Sequence, residues 1–382
     1  MESKEMDTYD IAIVGAGPSG CACALALQGN GLRVIVLDKD TFPRDKICGD
    51  AIPGPAFKAL DSINHSWGQA MRAFADKEIV RTSKVFAPNG KTITQDWIAY
   101  SYNSKRFDFD NFLLNLVRTE TDCTIENKRL KHISVEDDSV TCHFTAGSPI
   151  KASIIIGCDG ANSMVKRKLN QRAPQDKPGV IAVRSYYTQI EGIQEGVNEF
   201  HFFKKFPGYF WIFPLKDGFA NVGFGISKKA KLPLNLRDTF DQVIRTAPGI
   251  ASRFKNAVVQ ESTKGFSLPI WTERRAISGN RFMLCGDAAS LIDPLQGHGI
   301  DKAMWSGVLA AKHAIHCFES DDFSANSLSG YDQLVYDKVG AELARNATIA
   351  NSTMRFPWIL NVAAWFGQYK SLTQWAALKL KI

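Results

Sequence analysis

The sequence predicts a mixed protein, α/β in its larger part and α+β overall, with a discontinuous domain on a parallel sheet, an antiparallel β domain set into it, and a helical C-terminus. Three observations carry this. Residues 9–26 read as strand, glycine turn and small-residue helix; from residue 179 to about 226 the pattern changes to alternating β-branched and aromatic residues; and near residue 281 an apolar strand ending in Gly-Asp returns. The boundaries expected are 1–78, 103–178 and 272–330 for the discontinuous domain, 79–102 and 179–271 for the antiparallel one, and 331–382 for the helical segment.

Taken in order, the chain opens with an apolar run, Ile11 to Val14, that enters Gly15-Ala16-Gly17-Pro18-Ser19-Gly20. Gly15 permits the tight turn, Gly17 leaves room for a pyrophosphate, and Gly20 lets the following helix pack closely on the strand. Pro18 and Ser19 open that helix, whose free N–H groups and dipole suit phosphates. A second strand, Arg33 to Leu37, ends in Asp38, followed by Lys39; an acid about 20 residues on is where a dinucleotide fingerprint seats the ribose hydroxyl, and it argues against NADP as the tightly held nucleotide. Residues 40–55 carry prolines at 43, 53 and 55 and glycines at 49 and 54, which forbid a continuous helix and leave a long shaped loop. Val80 to Trp97 reads as short strands about a Pro-Asn-Gly turn, Arg106 to Val117 as a helix, and Val140 to Phe144 and Lys151 to Ile156 as strands. The second of these leads into Asp159-Gly160-Ala161-Asn162-Ser163. Leu234 to Arg253 reads as a helix or two, Arg281 to Leu284 as a strand entering Gly286-Asp287, and Ile300 to His316 as a helix.

A 382-residue chain with 45% hydrophobic and 22% charged residues is long enough for two to three soluble domains. Its net charge of +7 favours anionic partners, but no basic run is interleaved with aromatics, so nucleic acid is not expected. The N-terminus has no apolar core of a signal peptide and no apolar run reaches about 18 residues, so a cytoplasmic location is expected. Eight cysteines lack metal-ligand spacing, so no metal site and no disulfide framework is expected.

Three Gly/Asp punctuations in this order resemble the glutathione-reductase-type flavoprotein fold, in its p-hydroxybenzoate hydroxylase branch. The resemblance spans roughly residues 9 to 315. It implies FAD as cofactor, with the opening turn on the ADP half, Asp159 and Gly160 supporting the pyrophosphate, and Gly286-Asp287 placing an Asp on the ribityl chain. Beside Pro294, Gly297 and Gly299 would then bring backbone N–H groups, and Ile300 a helix N-terminus, to the flavin. Arg106, with Asp110 and Leu113 behind it, resembles the family's helix-start arginine near the cofactor.

Two segments narrow the branch. Pro43 to Asp50, with Arg44, Cys48 and Gly49, resembles the Cys-Gly segment of the geranylgeranyl reductase family, which lies near the flavin. Tyr209, Trp211, Phe213 and Pro214 resemble that family's Y-x-W-x-F-P strand, which lines an isoprenoid cavity. Flavin-dependent halogenases carry related segments, G-E-S and W-x-W-x-I-P; this chain has Cys-Gly-Asp and Tyr-x-Trp-x-Phe-Pro, which fits them less well, while Lys46 keeps that reading open because halogenases need a catalytic lysine. The chain departs from the family's N-P-x-x-G-E-G in having His298 where a carboxylate is usual. His298 is either a proton donor or a spacer between two glycines. Cys48 and His298 are the candidate catalytic residues.

The activity this implies is FAD-dependent reduction of carbon–carbon double bonds in an isoprenoid or other apolar polyene, with NAD(P)H visiting transiently as reductant because no second glycine fingerprint holds it. Two alternatives stay open: a monooxygenase or halogenase that uses O₂ on the same scaffold, and a flavin-binding maturation partner of another protein. Residues 355–382 carry three tryptophans, two phenylalanines and no acid, beside Arg355, Lys370, Lys379 and Lys381. This stretch reads as a helical cap, as a peripheral membrane contact for a lipid substrate, or as both.

Overall fold

The computed structural model describes residues 6–170, 179–204, 206–227, 235–356 and 358–366. Its first sheet has eight strands, in the order Ser278–Gly279, Phe282–Leu284, Ile150–Gly157, Thr8–Val14, Val34–Asp38 and Thr124–Asn127, with Leu130–Val135 and Val140–Phe144 running back antiparallel beside Ile150–Gly157. From Phe282–Leu284 to Thr124–Asn127 every neighbouring pair is parallel. The central strands bury both faces, which is why Val34 to Leu37 is an unbroken apolar run rather than an alternating one.

Helix Pro18–Ala26 starts with proline at its first position and carries small residues that let it sit close to two neighbours. Against the strand, a Cβ on Gly20 would fall 1.8 Å from the Gly15 carbonyl oxygen; against helix Ile300–Ser320, a Cβ on Gly307 would fall 2.1 Å from the Ser19 carbonyl oxygen. The two helices therefore cross nearly backbone to backbone. Helix Arg106–Glu120 covers the same core through Phe109, Leu113 and Val117, three positions of one face.

The second sheet has nine strands: Val258–Val259, Val180–Thr188, Phe219–Ser227, Phe206–Pro214, Val197–Phe203, Glu78–Phe86, Thr92–Asn103 and Ala51–Ile52 in order, with Lys264–Leu268 also on Val180–Thr188. It is antiparallel with one exception, since Val197–Phe203 runs parallel to Glu78–Phe86. This corrects the expectation of a wholly antiparallel domain. The parallel pair arises because the chain leaves the sheet after Thr92–Asn103, builds much of the first sheet, and returns through a crossover. Ala51–Ile52, from the proline-rich loop, also joins this sheet. Its outer face packs under helix Leu236–Thr246 through Phe210, Ile212, Val222, Phe224 and Phe240. Its inner face turns to the first sheet. The C-terminal part runs through helices Ala325–Val335, Ala341–Arg355 and Trp358–Phe366.

Candidate active site

Between the two sheets lies a cavity of about 2210 Å³. A site for one drug-sized molecule occupies roughly 300–1,000 Å³, so this space has room for a long ligand together with a second one. The C-terminal ends of the parallel strands open into it through Gly15, Asp38, Cys158 and Asp159, where ligands of such sheets bind.

At this end the first turn of Pro18–Ala26 carries no acidic residue and no side-chain cap, leaving its N–H groups free for an anion. A Cβ on Gly17 would meet only an Arg44 guanidinium nitrogen, at 3.6 Å, so the glycine keeps space open beside an arginine. Asp38 braces the turn by accepting from Ala16 N–H (2.7 Å) and Asp40 N–H (2.9 Å) while lining the cavity. Arg106, fully buried, holds Asp110 bidentately at 2.6 and 2.6 Å, and Arg44 takes the same carboxylate at 2.8 Å. The Arg106 guanidinium also lies near Cys48, which lines the same cavity. Asp159 accepts from the N–H groups of Met164 (2.5 Å) and Val165 (3.2 Å), tying its loop to helix Met164–Leu169. Asp287 pairs with Lys46 at 3.0 Å.

The inner face of the second sheet forms an aromatic wall. Tyr209, Trp211 and Phe213 alternate inward with Phe200, Phe202 and Phe266 nearby. On the neighbouring strand, Gly223 stands opposite Trp211, and a Cβ there would lie 2.1 Å from the indole. Glycine in a central strand usually marks such a close approach. The indole N–H then donates to Asn221 Oδ1 at 2.8 Å, while Asn221 Nδ2 donates to the Cys48 carbonyl and to Asp50 Oδ2, both at 2.8 Å. Tyr186 O–H donates to the same Asp50 oxygen at 2.6 Å, and Asp50 Oδ1 is buried with no partner. Burial pushes the Asp50 carboxyl up to about 6, against the pull of those two hydrogen bonds. A Cβ on Gly49 would lie 3.5 Å from Phe213, so the Cys48-Gly49 turn rests directly on the wall.

The loop before helix Ile300–Ser320 closes the cavity on another side. Tyr209 O–H donates to the Gln296 carbonyl at 2.9 Å. His298 places Nδ1 3.1 Å from Asp301 and Nε2 2.8 Å from Gln296 Oε1. Asp293, His298 and Glu342 bring three possible ligand atoms within 4.8 Å of one another. Asp293 is already committed, however, to the N–H groups of Leu295 and Gln296 and to Asn346 Nδ2.

Residues 8–319 match the family described as FAD binding domain. The chain belongs to that family. Among curated relatives, it is 29% identical over 328 residues to a menaquinone reductase of Mycobacterium tuberculosis (80% of this chain, 76% of the relative). It is 28% identical over 359 residues to a digeranylgeranylglycerophospholipid reductase of Methanosarcina mazei (90% and 84%). Among solved structures, a geranylgeranyl bacteriochlorophyll reductase-like protein of Thermoplasma acidophilum superposes with TM-score 0.77 at 23% identity (92% of this chain, 88% of that one). The flavin-dependent brominase Bmp2 superposes with TM-score 0.80 at 20% identity (98% and 92%). Both structural likenesses show the fold alone.

The residues present fit the family's cofactor: an uncapped helix N-terminus behind Gly17, with two arginines on one carboxylate beside it, suits a pyrophosphate. Of the residues expected at the site, Gly15, Gly17, Pro18, Ser19, Asp38, Lys39, Arg44, Cys48, Gly49, Arg106, Asp159, Gly160, Asp287, Pro294, Gly297, His298, Gly299 and Ile300 line the cavity, as do Tyr209, Trp211 and Phe213. Three do not. Gly20 and Gly286 serve packing, the first on Gly15 and the second on Ala303 at a φ of +57°. Pro214 stands one residue past Phe213 and so turns away; its carbonyl accepts from Asn103 Nδ2 at 2.8 Å.

Sequence reasoning missed Asp50, Tyr186 and Asn221, and the trio Asp301, Lys302 and Glu342. Asp50 was the most legible of them, standing next to Cys48-Gly49; Asn221 sits in a strand of apolar neighbours, where a lone amide signals a buried partner.

Proposed function

We propose that the protein is an FAD-dependent oxidoreductase that reduces carbon–carbon double bonds of an isoprenoid or other apolar polyene, on a glutathione-reductase-type Rossmann domain. The observation that carries this is the aromatic wall of Tyr209, Trp211 and Phe213, which faces the same cavity as the glycine turn and touches the Cys48-Gly49 segment. The relatives' names point the same way, to reductases of isoprenoid-bearing molecules.

When bound, FAD supplies the two-electron chemistry, recharged by NAD(P)H that visits without a site of its own. The chain's residues do the rest. Arg44, Arg106, Asp38 and the turn from Gly15 to Ser19 would hold the adenosine-diphosphate half, and Asp159, Gly160 and Asp287 would hold its middle. The loop of Pro294, Gly297, Gly299 and Ile300, which lines the cavity, would bind at the flavin end. The aromatic wall excludes water and holds the apolar chain, and His298 delivers a proton to the substrate carbon. Cys48, fixed by Asn221 through its carbonyl, sets the edge of the substrate space.

Incubation of the reduced holoenzyme with a geranylgeranyl polyene under nitrogen tests this. Gains of two mass units per double bond are expected; no gain with any isoprenoid, alongside normal cofactor binding, rejects it. One observation favours the second reading, an oxygen-using monooxygenase or halogenase: Lys46 lines the cavity and pairs with Asp287. Oxygen uptake coupled to a hydroxylated or halogenated product would select it.

The substrate class also suggests a peripheral membrane contact. No described helix is long and apolar enough to cross a membrane. Helix Trp358–Phe366 instead presents Trp358, Val362 and Trp365 to solvent, at 60, 41 and 50% exposure. The helix that precedes it lines the cavity through Glu342, Arg345, Ala350 and Met354. The membrane reading rests on residues 358–366, since 367–382 lie outside the described residues.

A further inference from the structure

His298 precedes helix Ile300–Ser320 and its side chain is 17% exposed at the cavity wall. Its two ring nitrogens face different partners: Nδ1 stands 3.1 Å from Asp301 Oδ1, and Nε2 stands 2.8 Å from Gln296 Oε1. Asp301 lies in the helix's first turn and is buried. Its other oxygen accepts from Lys302 Nζ at 2.8 Å.

Lys302 is 1% exposed, an unusual place for an ammonium group. It stays charged because Glu342, on helix Ala341–Arg355, accepts from it on another side at 2.8 Å. Burial works against ionisation of Asp301, yet His298 and Lys302 outweigh it and hold the carboxyl well below the usual range. Burial likewise works against Lys302, and Asp301 and Glu342 outweigh it and raise the amine above its ordinary value. An ionised carboxylate has no proton to give, so the Nδ1 that meets it must carry the hydrogen. The proton free to leave is then the one on Nε2, which meets Gln296 Oε1 while the ring is charged; once it has left, the Gln296 amide turns to donate its own N–H to the bare Nε2.

We propose that Asp301 and Lys302 form a charge clamp that fixes the hydrogen of His298 on Nδ1 and makes Nε2 the proton-delivering atom, so that both are positioning residues for the reaction. The proposal rests on the alkene-reducing function above. In that reaction the carbon–carbon π bond breaks, one carbon takes the hydride supplied by the reduced cofactor, and its neighbour takes the Nε2 proton. His298 is left neutral with its hydrogen on Nδ1, and Nε2 is recharged from solvent.

The clamp is tested first without turnover. The full chain, labelled with ¹⁵N-histidine, is compared with His298→Gln to assign the ring signals, at a pH where the ring is neutral. A protonated Nδ1 and bare Nε2 are expected, with Asp301→Asn losing that preference and Lys302→Arg keeping it. Single-turnover reduction of a geranylgeranyl polyene should slow by about tenfold or more in Asp301→Asn with substrate affinity unchanged, and stay near the wild-type rate in Lys302→Arg. A wild-type ring protonated on Nε2 overturns the clamp, and that reading needs no folded variant. So does an Asp301→Asn chain with wild-type tautomer and rate. If no polyene is reduced while Nδ1 carries the hydrogen, the positioning geometry stands and the alkene-reducing function falls.

Discussion

Asp50 is a carboxyl group placed where ionisation is costly. It has two donors on one oxygen and none on the other, at a φ of +64°. The folded carboxyl binds its proton more tightly than the unfolded one, about 6 against 3.8. The penalty is therefore absent below about pH 3.8, where both forms are protonated, grows as pH rises, and is complete above about pH 6. Its full size is about 3 kcal/mol from two pKa units. Asp50→Asn keeps an acceptor for Tyr186 and Asn221, and asparagine tolerates the left-handed backbone. Denaturant unfolding of this variant should be more stable than wild type above pH 6, by an increment that shrinks towards pH 4; an increment that does not vary with pH would refute the buried-charge account. Gly17 offers a second residue-scale test. Its backbone is extended, at φ −77° and ψ −173°, and a Cβ would touch only Arg44 at 3.6 Å, so Gly17→Val should fold as wild type. The added methyls would occupy the space kept for phosphate. Flavin absorbance after gel filtration should fall by about tenfold or more with melting temperature little changed, because the turn's role is close approach of backbone to ligand.

At the scale of elements, the start of helix Arg106–Glu120 is tied to the loop that carries Arg44 and Cys48. Arg106 and Arg44 share Asp110, which is itself fully buried, and Arg106 reaches the Cys48 turn. Arg106→Met leaves the buried carboxylate with one partner, and removing one member of a buried pair costs about 3–5 kcal/mol. Urea unfolding should register that loss, and the double variant Arg106→Met/Asp110→Leu should regain a large part of it. No recovery would mean that the pair's geometry, rather than uncompensated charge, sets the stability. The R-x-x-x-D spacing made this pair visible in the sequence, because i and i+4 share a helix face. The inward set Tyr209, Trp211 and Phe213 was legible for the parallel reason that strand residues alternate. The same period put Pro214 on the other face, which motif matching alone overlooked. The pairing of Val197–Phe203 with Glu78–Phe86 could not be read, since nothing local in either strand names a partner about 110 residues away.

On the scale of the whole molecule, the cavity is assembled from segments that the sequence keeps far apart: residues 15–19, 44–49, 106, 159–160, 209–213, 287–300 and 342–354. The glycine turns announced themselves because their chemistry is local. The third wall, helix Ala341–Arg355, did not, because its polar residues gain meaning only from what they meet: Asn346 on Asp293 and Glu342 on Lys302. In sequence, that wall is followed by the helix Trp358–Phe366 and its exposed aromatics. If the substrate chain is drawn from a bilayer, this helix is where the protein should touch it, with the +7 net charge favouring an anionic surface. The variant Trp358→Ser/Trp365→Ser leaves the cavity wall intact, because neither tryptophan lines it. Sedimentation with phosphatidylglycerol-containing vesicles should weaken on the order of tenfold per tryptophan removed, the factor that about 1.4 kcal/mol of lost apolar burial produces. Salt should weaken the remaining, electrostatic part, since exposed charges are screened beyond about 10 Å at 0.1 M. Reduction of a short, water-dispersed polyene should continue at the wild-type rate while reduction of a bilayer-borne one falls. Equal loss on both substrates would place these tryptophans in the fold of the enzyme rather than at its lipid face, and unchanged sedimentation would reject the membrane contact at this helix.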